Sequence, residues 1–246
     1  MQANARFYGG INMINLKNDA KYFSPFEKLL WLSSAVLIIV SFCIFDRGSL
    51  STPIASLIGV TSLIFSAKGN PIGQLLMIIF SVFYGIISLG CAYYGEVATY
   101  LGMTAPMALF ALISWLKNPF KGRRSEVKVG SISRKEVGFM FLLSAAVTAV
   151  FYFILDAFGT ANMLPSTLSV TTSFMAVYLT FRRNPFFALA YAANDIVLII
   201  LWTMAALEDI SYLSVVICFI VFLVNDLYGF ASWLRMGKRQ SVCEKN

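Results

Sequence analysis

Two Asn-Asp doublets sit inside otherwise apolar sequence: Asn194-Asp195 in YAANDIVLIILW and Asn225-Asp226 in VFLVNDLYGF. A carboxylate at the centre of a bilayer costs about 2.5–3.5 kcal/mol on insertion scales, so intramembrane acids point to function. An amide offers a donor and an acceptor side by side, and a carboxylate accepts from hydroxyls or neutralises a cation. On a helical wheel Tyr191, Asn194, Asp195, Leu198 and Trp202 form one stripe. Asn225, Asp226, Tyr228, Gly229 and Ser232 spread over about half of theirs. Tyr100, Met103, Thr104 and Met107 group together, and Gln74, Ser81, Tyr84 and Ser88 recur at near-helical spacing. Ser166, Ser169, Thr171, Thr172 and Ser173 dot a further stretch. The candidate hydrogen-bonding groups are Gln74, Thr104, Asn194 and Asn225. Tyr84, Tyr100, Tyr191 and Trp202 would stack or close a cavity, with Asp195 and Asp226 setting its charge. Aromatic faces suit a planar ring and attract cations. The competing reading is interhelical glue, worth about 0.6 kcal/mol per polar contact on average. It fits the Ser and Thr positions best. Gly85, Gly102 and Gly229 read as close-packing positions and Pro106 as a kink.

The chain has no histidine, and its four cysteines (Cys43, Cys91, Cys218, Cys243) lack metal or redox spacing. Imidazole–metal sites and serine–histidine triads are therefore excluded within it. The expectation is a binding or transport protein, not an enzyme, without metal or cofactor.

These residues must be carried by membrane helices. The 246 residues are 59% hydrophobic and 13% charged, against about 25% charged in soluble domains. Continuously apolar blocks at about 28–45, 50–67, 72–94, 97–116, 137–158, 162–181, 186–206 and 211–234 are each long enough to cross a bilayer core. Their continuity excludes an alternating β-barrel pattern. Ser24-Pro25-Phe26-Glu27 announces the first helix with a capping box. With the N-terminus inside, all of the nineteen Lys and Arg except Arg47 fall on the cytoplasmic side, as the positive-inside rule requires. That asymmetry, rather than nucleic-acid binding, accounts for the net charge of +7.

The blocks repeat. SAKGNP joins the second to the third and TFRRNP the sixth to the seventh; SWLK ends the fourth and SWLR the eighth. Pro53 and Pro165 open the second and sixth. Asn70-Pro71 and Asn184-Pro185 fit an N-cap followed by proline at the first helical position. The expected fold is an all-α integral membrane protein of eight transmembrane helices. A cytoplasmic tail (1–27) and an accessory helix (28–49) precede a triple-helix repeat (50–116). A basic loop with a linker helix (117–161) leads to a second, parallel repeat (162–234) and a cytoplasmic tail (235–246). Such repeats hold a substrate at their interface near the midplane.

GNPIGQLL, YYGEVATYLGMTAPM, YAANDIVLIILW and NDLYGFASW together resemble the PnuC family of bacterial nicotinamide riboside transporters, over residues 25 to 240. The resemblance implies a SWEET-like arrangement of two triplets and a linker, a homotrimer, and facilitated uptake of nicotinamide riboside across the cytoplasmic membrane. Phosphorylation inside then traps the riboside. It further implies that Asn194 and Asn225 face the substrate path, with Asp195 and Asp226 adjacent. Relatives carry thiamine, riboflavin or deoxynucleosides, so a thiamine or deoxynucleoside carrier is one alternative. Proton coupling through Asp195 or Asp226 is another, and a receptor signalling through the 117–136 loop a third.

Overall fold

The computed structural model describes residues 22–46, 48, 50–90, 97–160 and 162–245. The N-terminal tail to residue 21, Arg47, Cys91 with the end of the third block, and the Ser88 side chain lie outside the described residues.

Helix α1 (Pro25–Phe45) opens as its sequence announces. Ser24 Oγ accepts from the Glu27 N–H at 3.2 Å, and the Glu27 carboxylate accepts from the Ser24 N–H at 2.7 Å. Helices α2 (Ser51–Ala67) and α3 (Ile72–Gly90) follow. The fourth block is not one α-helix. A π-helical stretch, Ala98–Thr104, precedes α4 (Ala105–Lys117). Pro106, lacking an N–H, is tolerated in the first turn of the restarted helix, so the expected kink takes the form of a π segment.

Beyond α4 the connector of this otherwise all-α fold holds a short hairpin. Strands β1 (Pro119–Phe120) and β2 (Arg123–Val127) pair antiparallel, turning through Lys121 and Gly122, both at positive φ. Then come α5 (Arg134–Ala157), α6 (Met163–Phe181), α7 (Phe186–Glu208), a 3-10 turn at Ile210–Tyr212 and α8 (Leu213–Lys245). The tail expected at 235–246 is helical through Lys245. It is held against the hairpin: Gln240 Oε1 accepts from the Val129 N–H at 2.8 Å, and its Nε2 donates to the Val127 carbonyl at 3.0 Å. Arg239–Glu126 and Lys128–Glu244 ion pairs flank it.

The two Asn-Pro turns are built alike. Gly69 (φ 66°) and Arg183 (φ 57°) take left-handed conformations. Asn70 Oδ1 then accepts from the Ile72 N–H at 3.0 Å, and Asn184 Oδ1 from the Phe186 N–H at 3.1 Å. The helices thus begin one residue later than the sequence implies. Both turns are tied to the hairpin connector, by Val127 N–H to the Gly69 carbonyl and Gly130 N–H to the Arg183 carbonyl, each at 2.9 Å.

Among the described residues the protein has eight helices. Five stretches are long and apolar enough to cross a membrane: α1, Ala98–Lys117, α5, α7 and Ile210–Lys245; α2 and α3 supply shorter apolar helices. Neighbours pack in chain order within α2–α3–α4 and α6–α7–α8, while α2 also lies on α8 and α4 on α6. Helix α1 covers α2 and α8, and α5 packs on α6. Every described Lys and Arg lies at one end of the helices, the basic end. Asp46, Asp156, Glu208 and Asp209 lie at the other, the acidic end.

Of the three glycines expected to allow close packing, Gly85 does so: an added Cβ would lie 2.5 Å from Leu101 Cγ. At Gly102 a Cβ would meet open space, and at Gly229 it would fit in ordinary contact, so neither is a steric requirement. The tightest approach among helices falls at Gly73, where a Cβ would come within 2.6 Å of the Ser66 backbone nitrogen. Ser62 Oγ donates to the Gly73 carbonyl at 2.8 Å, fixing the same crossing. Gly73→Ala is expected to lower the thermal unfolding midpoint by roughly 3–10 °C, the effect of about 1–3 kcal/mol of overpacking. Size-exclusion thermostability in detergent measures it.

Candidate functional site

A cavity of about 520 Å³ opens at the acidic end and descends between α6, α7 and α8 toward the π-helical stretch and α3. Helix α7 contributes one face along its length, Asp195, Leu198, Leu201, Trp202, Ala205 and Glu208. This is the periodicity a helix needs to line one wall. The sequence-predicted residues Tyr100, Thr104, Tyr191, Asn194, Asp195, Trp202 and Asp226 all meet there.

Asn194 is held from behind by α6. Its Oδ1 accepts from Ser169 at 3.1 Å, Thr172 at 2.8 Å and Ser173 at 3.0 Å. With the acceptor engaged three times, the amide nitrogen is what Asn194 offers the cavity. The sequence reading treated these hydroxyls as glue; Ser169 and Ser173 bond the asparagine and line the wall. Their i, i+4 spacing within a run of hydroxyls was the signal available. Glue describes Thr171 well, since it pairs with Thr148 of α5 at 2.8 Å, away from the cavity.

The carboxyl groups of Asp195 and Asp226 adjoin across the α7–α8 interface. Two ionised carboxylates can only accept, so neither can donate a hydrogen bond to the other unless it holds a proton. Among the described residues, Asp195 Oδ2 and the Trp202 Nε1 have no hydrogen-bond partner. Trp202 packs on Tyr212, with ring centroids 5.4 Å apart, near the mouth. On the opposite wall Tyr100 stands against Phe80 and Tyr84. At the rim, Asp209 is held below the usual carboxylate range by the Ser211 N–H at 2.9 Å. Among the described residues no Lys or Arg lines the cavity, and no group of three or more His, Cys, Asp or Glu is arranged to hold a metal.

Three expected residues stand elsewhere. Gln74 donates to Ser66 Oγ at 3.3 Å in the α2–α3 contact. Tyr84 packs behind Tyr100, with centroids 4.6 Å apart. Asn225 faces α1, donating to Ser34 Oγ at 2.9 Å and to the Val221 carbonyl at 2.8 Å. Asn225 is turned toward α1 by these partners, whereas Asp226, the next residue, lines the cavity.

Toward the basic end, two tryptophans meet between the helices. Trp115 and Trp233 are fully buried, their rings 5.3 Å apart, and Phe187 stands against Trp233 at 4.9 Å. Trp115 Nε1 donates to the Thr180 carbonyl at 2.9 Å and Trp233 Nε1 to the Ser66 carbonyl at 2.8 Å. Helix α4 is thus bonded to α6, and α8 to α2. SWLK and SWLR each contribute one of these tryptophans, and their contact becomes visible only in three dimensions.

The chain is similar to two proteins described as nicotinamide riboside transporter PnuC. One, from Neisseria mucosa, is 24% identical over 217 residues, covering 86% of this chain and 82% of that protein. The other, from Haemophilus influenzae, is 22% identical over 217 residues, covering 87% and 92%. A crystal structure described as the vitamin B3 transporter PnuC shares the fold, with a TM-score of 0.75 at 23% identity over 89% of this chain and 94% of that one. A family model described as nicotinamide mononucleotide transporter matches residues 49–235, and the chain belongs to that family.

Proposed function

We propose that the protein is a facilitative transporter that carries nicotinamide riboside inward across a bacterial cytoplasmic membrane. The family's description names the mononucleotide, whereas the curated relatives are described as riboside transporters. The observation that carries the choice is the charge of the cavity: Asp195, Asp226 and Glu208 line it, with no Lys or Arg among the described residues. A phosphate needs cationic or clustered N–H donors, and here it would meet carboxyls. The riboside is a cation with a flat ring, a carboxamide and sugar hydroxyls. The carboxyls of Asp195 and Asp226 face a positive charge, Tyr100 and Trp202 offer ring faces, and Asn194 offers a donor.

In this reading eight helices cross the membrane, with the basic end and both termini in the cytoplasm. The first triplet (α2–α4) and second (α6–α8) are parallel repeats joined by α5. The crossed Trp115 and Trp233 bonds, which relate equivalent positions of SWLK and SWLR, support that pairing. Rocking of the triplets would open the tryptophan seal and close the mouth. Homotrimeric assembly remains part of the proposal through the family resemblance. The riboside is trapped by phosphorylation after entry, and the carrier performs no catalysis.

The test is counterflow of labelled riboside into liposomes holding the purified protein, without an ion gradient. Exchange competed by unlabelled riboside, and neither by thiamine, by a deoxynucleoside nor by the mononucleotide, is the expected result. Competition by the mononucleotide at equal strength would sink the charge argument. The adjoining carboxyls of Asp195 and Asp226 in the cavity favour one second reading, proton-coupled transport. It requires accumulation driven by a pH gradient, which the same liposomes measure.

A further inference from the structure

The face of α7 that lines the cavity carries an acid at each end. Asp195 lies at the floor and Glu208 at the mouth, thirteen residues apart, about 20 Å along the helix. Trp202 lies between them. It is 7% exposed and lines the cavity, so the wall between the acids presents an aromatic group to whatever enters. Glu208 is exposed at the rim and lines the cavity, whereas Asp46, Asp156 and Asp209 of the same end do not. Among the described residues no Lys or Arg lies at this end.

We infer that Glu208 is a specificity-determining residue that selects monocationic ligands at the entrance, ahead of the inner site. The inference rests on the riboside reading and adds a second, outer station to it. A cation held at Glu208 passes the Trp202 ring, where the aromatic face attracts positive charge, and reaches the Asp195–Asp226 pair. A neutral ligand of the same shape gains nothing at the rim, and a phosphorylated one is repelled there. Because Glu208 is solvated, its pull extends only about a Debye length and fades with salt.

The test uses counterflow by the full-length protein in liposomes with two ligands: nicotinamide riboside and its uncharged dihydro form. Glu208→Gln is expected to raise KM for the cationic riboside by about threefold to tenfold at 20 mM salt, the scale of electrostatic steering, and by much less at 500 mM salt. KM for the dihydro form should stay within twofold. Asp156→Asn removes an acid of the same end that does not line the cavity, and is expected to shift KM for the cation by less than twofold. Equal shifts for both ligands in Glu208→Gln would mean a structural role and overturn the inference. So would a shift in Asp156→Asn as large as that in Glu208→Gln. Wild-type protein that exchanges neither ligand would overturn the riboside reading and this inference with it. Wild-type exchange with an unmoved Glu208→Gln would overturn the inference alone.

Discussion

Asn194→Asp leaves the protein folded and weakens riboside exchange on the order of 10–100-fold, through KM. The three hydroxyls of Ser169, Thr172 and Ser173 donate to Asn194 Oδ1, and a carboxylate accepts from them at least as well as an amide oxygen. The α6–α7 contact therefore survives the change. What disappears is the amide N–H, the donor directed at the ligand. Losing a hydrogen bond in a site built for it, beside groups already desolvated, costs about 1.5–3 kcal/mol, which is the stated range. Asn194→Leu separates the two roles. It strips the acceptor from three buried hydroxyls as well, so it is expected to lose exchange and also to lower the unfolding midpoint. Counterflow measured beside thermal unfolding distinguishes these results. Full exchange by Asn194→Asp would mean that the amide is structural and that substrate contacts lie on other walls.

The doublets show what the sequence could and could not reveal. Periodicity along α7 was sufficient, because a helix fixes which residues share a face: Tyr191, Asn194, Asp195, Leu198 and Trp202 all line the cavity. The same logic reaches only as far as one helix. Asn225 and Gln74 are as polar as Asn194, but their orientation is set by which neighbour lies opposite. For Asn225 that neighbour is Ser34 of α1, 191 positions away in the chain. Glu208 looked like the end of a helix, since its place on the mouth follows from where the α5–α6 turn and Tyr212 stand. The hairpin after α4 carried no periodic signal. Its strands are short, and its register depends on backbone partners in the Gly69 and Arg183 turns and on Gln240. The helical tail beyond 234 was missed because it is charged on its surface and is held by the hairpin rather than by lipid.

Trp115→Phe combined with Trp233→Phe is expected to unseal the basic end. Phenylalanine retains most of the packing between the rings and against Phe187, but removes the two indole donors. The Thr180 and Ser66 carbonyls then lose partners that only the sealed arrangement provides. Each bond is worth about 0.5–1.5 kcal/mol net, so losing both shifts the sealed-to-open balance by roughly 5–150-fold. The bonds join α4 to α6 and α8 to α2; if opening breaks both together, each single variant should show about half of the double's free-energy effect. The readout is a cysteine at Val177, which lines the cavity, in protein with Cys43, Cys91, Cys218 and Cys243 replaced. Labelling by a membrane-impermeant thiol reagent applied from the basic end should rise in the double variant, while labelling from the acidic end falls. If instead the variants lose thermal stability with no change in the side from which Val177→Cys is reached, the tryptophans pack the bundle without gating it. Transport would then need a different moving part.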